Sequence, residues 1–309
     1  MYTENICKDI LLFSKAVATN QIARFSPGLY VRLTGQTGRG GDEGSSADVA
    51  GYFFECVEDY RRQLGLEPAE FKTFLAGKTI LEYGPGDVLG VALLLYAYGA
   101  AQVRCVDRFP LNKINAKNAA IYKALCEGLT GDEKSRAMAA FNSSGDPESG
   151  FSAGTVNYAV TPNGLSGESL AYDLIISRAV LEHVDDIDAT FADIDAALKP
   201  DGKSIHKVDL KSHGLDRYQA FDFLTWPRPL YRLMYSHKGF PNRWRANKYV
   251  EAAGKAGLEI TQLAPIDQLG AEQIDRIMPK LASEFRSVSR DLLSWLSFWI
   301  ILEKKPNTH

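Results

Sequence analysis

Glu82 stands two residues before Gly84 and four before Gly86, in Ile80-Leu-Glu-Tyr-Gly-Pro-Gly-Asp-Val-Leu-Gly90. A glycine pair directly behind a short apolar run lets the main chain turn sharply and approach a ligand with no Cβ in the way. About 20 residues further on, the spacing used by dinucleotide sites, Val106-Asp107 closes a second apolar run. An acid there can accept hydrogen bonds from both hydroxyls of an adenosine ribose. The two signals in this order point to a nucleoside-bearing cofactor, with Asp107 and Arg108 at its ribose.

A second group of residues could move a proton. His206-Lys-Val-Asp-Leu-Lys-Ser-His213 runs out of another apolar stretch. In open α/β sheets ligands lie beyond the carboxyl ends of strands, where Asp209 and His213 should fall. An imidazole titrates near neutrality, so His213 is the expected general base, with Asp209 beside it. His206, inside the apolar run, is expected in the core. Asp209, Asp216 and two histidines are close in sequence but show no recognised ligand spacing, so no metal is expected.

A third stretch, Tyr172-Asp-Leu-Ile-Ile-Ser-Arg-Ala-Val-Leu-Glu-His-Val184, makes a family resemblance specific. The chain resembles the class I S-adenosylmethionine methyltransferases. Glu-Tyr-Gly-Pro-Gly looks like their first motif, Val-Asp107 like their ribose acid, Ser177 to Val184 like the segment after their fourth strand, and Leu198-Lys-Pro-Asp-Gly202 like their turn into strand five. The resemblance covers roughly residues 78 to 210. It implies S-adenosylmethionine as cofactor, with Glu82, Gly84 and Gly86 at the methionine end, Asp107 at the ribose, and Ser177 with Arg178 in the pocket wall. Many members carry a glycine where this chain has Val88, with Gly90 further on. The adenine contact, commonly an acid after strand three, falls here to Asn157 or Tyr158. His183 is read as a pocket-wall residue, and Glu182 also fits an ordinary helix-surface charge.

The elements that position these residues follow from apolar periodicity. From Lys78 short apolar runs at Thr79–Tyr83, Gln102–Asp107, Gly154–Ala159, Tyr172–Ser177, Lys203–Leu210, Leu258–Leu263 and Leu296–Leu302 alternate with amphipathic stretches. Strand and helix in alternation mean a parallel sheet covered on both faces. The expected fold is α/β: a doubly wound, Rossmann-like, mostly parallel seven-stranded sheet. Residues 1–77 form a helical cap with a glycine-rich loop at 34–46, and 78–305 form the methyltransferase domain. An insertion at 213–248 follows strand five.

That insertion holds seven Lys or Arg against two Asp, a local balance of +5 in a chain of net charge −3. Eight aromatics from Tyr218 to Trp244 interleave with the basic residues, and such interleaving suits flat or phosphorylated acceptors. Asn242-Arg-Trp-Arg245 is its sharpest piece, making Asn242, Arg243 and Arg245 the expected substrate-binding residues. This stretch loosely resembles methyltransferases of bacterial glycan and polysaccharide biosynthesis. That resemblance implies O-methylation of a hydroxyl on a sugar, a glycan-linked acceptor or another small molecule.

Composition excludes several classes. The net charge gives no global attraction to nucleic acid, and the Asn-Pro-Pro-Tyr and Asp-Pro-Pro-Tyr elements of base methyltransferases are absent. No apolar run approaches the ~20 residues of a membrane span. Four cysteines without paired spacing fit a reducing cytoplasm, and a homo-oligomer is compatible with the sequence. Two alternatives stand beside the main reading. An NAD-dependent oxidoreductase would share the glycine turn and the ribose acid, and a non-catalytic S-adenosylmethionine-binding regulator would share the whole cofactor half.

Overall fold

Ile80, Leu81, Leu174, Ile175 and Ile176 are fully buried and nearly consecutive within their strands, as inner strands of a sheet covered on both faces require. In the computed structural model, which describes residues 2–34, 44–238 and 241–305, these side chains belong to two of nine strands. The strands are β1 Thr79–Tyr83, β2 Gln102–Asp107, β3 Phe141–Ser143, β4 Asp146–Phe151, β5 Val156–Val160, β6 Tyr172–Arg178, β7 Leu198–Asp209, β8 Leu258–Gln268 and β9 Trp295–Lys304.

Seven of them form one sheet in the order β5-β2-β1-β6-β7-β9-β8. β1 pairs in parallel with β2 and β6, β2 pairs in parallel with β5, and β8 and β9 are antiparallel. The expected seven-stranded, mostly parallel, Rossmann-like sheet is therefore present. β7 starts at Leu198 and so takes in the Lys199-Pro-Asp-Gly202 segment expected to be a turn. β3 and β4 form a separate antiparallel hairpin that the sequence did not suggest.

The helices begin where capping chemistry allows. Ser45 and Asp48 close a capping box at the start of Ser46–Gln63, and Asn115 accepts from the amide of Asn118 at the start of Ala116–Glu127. Gly90 opens the helix Gly90–Ala97 with the Phe53 ring so near that a Cβ would lie 2.4 Å from it. The glycine after the turn thus serves close helix–helix packing. The glycine-rich loop expected at 34–46 lies mostly outside the described residues.

The chain divides into two compact units. One takes residues 2–34, 179–192 and the described part of 206–305; the other takes 44–178 and 193–205. In the first unit, Phe221, Phe223, Trp226, Tyr231 and Tyr235 join Ile274, Ile277 and Leu293 in a single apolar core. The Arg217 side chain is wholly buried there, ion-paired with Asp9 at 3.0 Å and over the Trp226 ring at 4.5 Å. Those contacts tie the helix Ile6–Phe25 to the aromatic segment.

Candidate functional site

In the unit formed by β1, β2, β5 and β6, the strand register aligns the cofactor residues at one edge. Glu82 lies opposite Cys105, Tyr83 opposite both Val106 and Ser177, and Asp107 opposite Val160. This is the carboxyl edge of a parallel sheet, where open α/β folds bind ligands. Gly84 and Gly86 take φ of +59° and +80°, which turns the chain off β1, and the Gly84 amide donates to the carbonyl of Val106 at 2.8 Å. With φ in that region, a Cβ at either position would strain the turn.

The two acids there are buried, and Glu82 meets only the thiol of Cys105 while Asp107 is met by main-chain amides. Burial pushes the Glu82 carboxyl up to about 8, opposed by the Cys105 thiol 3.6 Å away and reinforced by the charge of Asp107. Burial likewise raises Asp107 to about 6, against the amides of Phe109, Arg108 and Gly86. Carboxylates so placed have unused acceptor capacity, and ribose hydroxyls or a cofactor ammonium are the donors that would satisfy it. The residues present therefore fit an adenosyl amino-acid cofactor.

The other expected cofactor residues are placed less directly. Tyr158 sits opposite Cys105 and Asn157 opposite Arg104, inside β5. The Tyr158 hydroxyl donates to the Phe109 carbonyl at 2.8 Å and accepts from the Leu111 amide, bracing the loop after β2. Arg108 lies in that loop. Ser177 is fully buried. The Arg178 guanidinium donates to Asp59 at 2.8 Å and lies over the Tyr52 ring, tying the end of β6 to the helix Ser46–Gln63.

In the other unit a second cluster forms. Glu182 and His183 sit on a single 3-10 turn, Leu181–His183, and His213 follows β7. The two imidazole rings meet edge to face with centroids 4.9 Å apart. Their Nε2 atoms lie 3.8 Å (His183) and 3.9 Å (His213) from the same Glu182 Oε1. Glu182 is 1% exposed, whereas the histidine side chains are 29% and 30% exposed. Burial pushes the Glu182 carboxyl well above the usual range; the amides of Glu182 and Asp209 pull the other way and the charge of Asp209 adds to the rise.

His213 adopts φ +50°, an uncommon conformation for a residue with a Cβ, which marks an imposed backbone. The Asp209 carboxylate accepts from the Lys211 amide at 2.9 Å and so shapes the turn leading to His213. Asp216 accepts from the Phe223 amide and stands in a separate turn. His206 is fully buried in β7, and burial pushes its imidazole down to about 3, which leaves it neutral.

Asn242, Arg243 and Arg245 are placed unlike a solvated basic island. The Asn242 side chain donates to the carbonyls of Leu181 and Val184. Arg243, 4% exposed, donates to the Trp226 carbonyl at 2.7 Å and to Glu284 at 2.5 Å, with Tyr231 beneath it. Arg245, 1% exposed, donates to the carbonyls of Leu210 and Trp295. Together with Arg217 and Lys238, four of the seven basic residues of 213–248 are buried. The +5 balance of this stretch is therefore largely internal: carbonyls, acids and rings take these side chains inside, which a count of charges ignores. Sequence reasoning passed over Glu182, and its place in the family-like segment was the available signal.

Residues 58–263 match the family model described as a methyltransferase domain. No curated protein sequence matches the chain. Among solved structures, an S-adenosylmethionine-dependent methyltransferase from Mesorhizobium loti is 18% identical, with 74% of this chain and 92% of that chain covered and a TM-score of 0.42. The Haemonchus contortus phosphoethanolamine N-methyltransferase 2, solved with S-adenosyl-L-methionine, is 17% identical, with 75% and 49% covered and a TM-score of 0.43. Among the described residues no helix is long and apolar enough to cross a membrane.

Proposed function

Because the chain belongs to the methyltransferase-domain family and is an S-adenosylmethionine-dependent enzyme, we propose that it methylates a hydroxyl oxygen of a sugar, a glycan-linked acceptor or another small molecule. When bound, S-adenosylmethionine supplies a methyl carbon on a cationic sulfur, which an oxygen nucleophile takes as the carbon–sulfur bond breaks and its electron pair stays on sulfur. Glu82, Gly84 and Gly86 hold the methionine end and Asp107 the ribose. Arg108, Asn157, Tyr158, Ser177 and Arg178 wall the pocket.

The observation that carries the acceptor half is the approach of His213 to buried Glu182. An imidazole whose side chain is 30% exposed is within reach of an acceptor hydroxyl and can take its proton. Glu182 Oε1 lies 3.9 Å from the His213 Nε2, near enough for the carboxyl, when ionised, to favour the imidazolium that results. Asp209 positions the backbone leading to His213, and Asn242, Arg243 and Arg245 belong to the acceptor side, Asn242 holding the turn of Glu182 and Arg245 the Leu210 carbonyl. All four cysteines are free and three are buried, which suits a reducing cytoplasm.

The test is a mass-spectrometric screen of hydroxylated acceptors with isotopically labelled methyl donor, run on the unsubstituted chain and on His213→Ala. The expected result is a labelled ether, with turnover greatly lowered in the variant and cofactor affinity unchanged. Full turnover in His213→Ala, or label found only on nitrogen, would overturn the assignment.

A further inference from the structure

Glu182, His183 and His213 each offer one ligand atom, and the three atoms lie within 4.8 Å of one another. We propose that these residues form the protein side of a site for one divalent cation of the zinc class. Two imidazole nitrogens and one carboxylate oxygen are the donor set of an open zinc site, which keeps further positions for water or substrate. Magnesium and calcium prefer all-oxygen sets, so the two histidines select against them.

The distances suit an ion. Ligand bonds of about 2.0–2.1 Å at tetrahedral angles place neighbouring ligand atoms about 3.3 Å apart, and the two nitrogens stand 3.8 and 3.9 Å from Glu182 Oε1. All three ligand atoms lie within 4.8 Å of one another, so seating an ion draws the three side chains together. At the observed separations neither ring is within hydrogen-bond distance of the carboxylate. Both Glu182 oxygens are buried and meet no donor at hydrogen-bond geometry. Only the main-chain amides of Glu182 and Asp209 act on this buried carboxyl, and a cation seated among the three atoms adds the positive partner that no side chain among the described residues supplies.

The surroundings hold the ligands in place. The Asn242 amide donates to the Glu182 carbonyl at 2.6 Å and its side chain grips the same turn on either side. The left-handed backbone at His213 fixes its ring against that of His183. Such outer support is what keeps metal ligands oriented. Both rings are partly exposed, so the open positions face solvent.

The use of the ion rests on the proposed hydroxyl methylation, whereas its binding does not. With the ion seated, the acceptor hydroxyl takes an open position, its O–H bond breaks, the electron pair stays on oxygen and the proton passes to water. With the ion seated His213 acts as a ligand, and without it His213 takes the proton itself.

The experiment uses tag-free, chelator-treated full-length chain carrying Cys7→Ser, so that the exposed thiol offers no competing ligand. Cobalt(II) is titrated while visible absorbance is followed, and zinc is titrated by calorimetry. One equivalent should bind, and His183→Ala, His213→Ala and Glu182→Gln should each weaken binding at least about tenfold. Circular dichroism checks the fold of each variant. If an alanine variant fails to fold, His183→Gln and His213→Gln take its place. No binding at micromolar metal, or binding unchanged by all three substitutions, would overturn the site. Methyl transfer at full rate in chelator would overturn its use and leave the methyltransferase reading intact. Metal binding as expected with no hydroxyl acceptor methylated would support the site while counting against the acceptor.

Discussion

The backbone amide of Asn242 donates to the carbonyl oxygen of Glu182 at 2.6 Å, so the Asn-Arg-Trp-Arg element is stitched to the turn that carries Glu182 and His183. Two side-chain bonds from the same asparagine, to Leu181 at 2.8 Å and Val184 at 3.2 Å, complete the clamp. Three residues later Arg245 reaches the Leu210 carbonyl, on the segment that leads to His213. One short element thus fixes both halves of the cluster.

Asn242→Ala removes the two side-chain donations to the turn, together with the bond its Oδ1 accepts from the Trp244 amide, and keeps the backbone one. Leaving two carbonyls of the turn without this donor should cost about 1–3 kcal/mol. Urea unfolding should show that loss, and turnover should fall with cofactor affinity unchanged. A variant with wild-type turnover would mean that the turn holds its shape without the clamp.

Asp107→Ala should weaken S-adenosylmethionine binding by at least about 1 kcal/mol through lost ribose hydrogen bonds. The acid is buried at the carboxyl end of β2, beside the turn that Gly84 and Gly86 make. Calorimetry with S-adenosylmethionine and with its demethylated product checks this, and equal affinities in wild type and variant would remove Asp107 from the ribose.

The parallel strands were legible because inner strands are continuous apolar runs, and Leu174–Ile176 could hardly be anything else. The hairpin of β3 and β4 was not, since Asn142-Ser-Ser-Gly-Asp reads as polar loop. Its stability comes from Phe141 stacking on Phe151 at 4.8 Å and from the Tyr122 ring at the edge of Phe151, contacts set by tertiary structure. The same limit hid the fate of Arg217, Arg243 and Arg245. Their partners Asp9, Glu284 and the Trp295 carbonyl are remote in sequence, and a count of charges cannot find them. Glu182 looked like a surface charge because nothing local reveals that His213 folds back beside it. The cofactor half was readable because its glycines and acids act through local backbone geometry.

Gly90→Ala should destabilise the fold although alanine is the better helix former by about 1 kcal/mol. The added Cβ would lie 2.4 Å from two atoms of the Phe53 ring, itself buried in the helix Ser46–Gln63. Overpacking of this kind costs about 1–3 kcal/mol. Phe53→Leu on top of Gly90→Ala should recover part of the loss in thermal or urea unfolding, and purely additive effects would refute the clash.

Stability should also fall as pH rises from acid to neutral, through Glu82. Its carboxyl ionises near the ordinary 4.5 when unfolded but only near 8 when folded, because burial disfavours the charge. Between those values the folded state holds the extra proton, so the contribution to stability is complete below 4.5, declines with rising pH, and is exhausted above 8. Asp107 acts in the same direction between 3.8 and about 6. Each unit of such a shift is worth about 1.4 kcal/mol at most. Glu82→Gln has no proton to lose, so unfolding midpoints measured from pH 5 to 8 should descend less steeply in the variant. Parallel curves for the two proteins would show that Glu82 is ionised in the folded chain throughout that range.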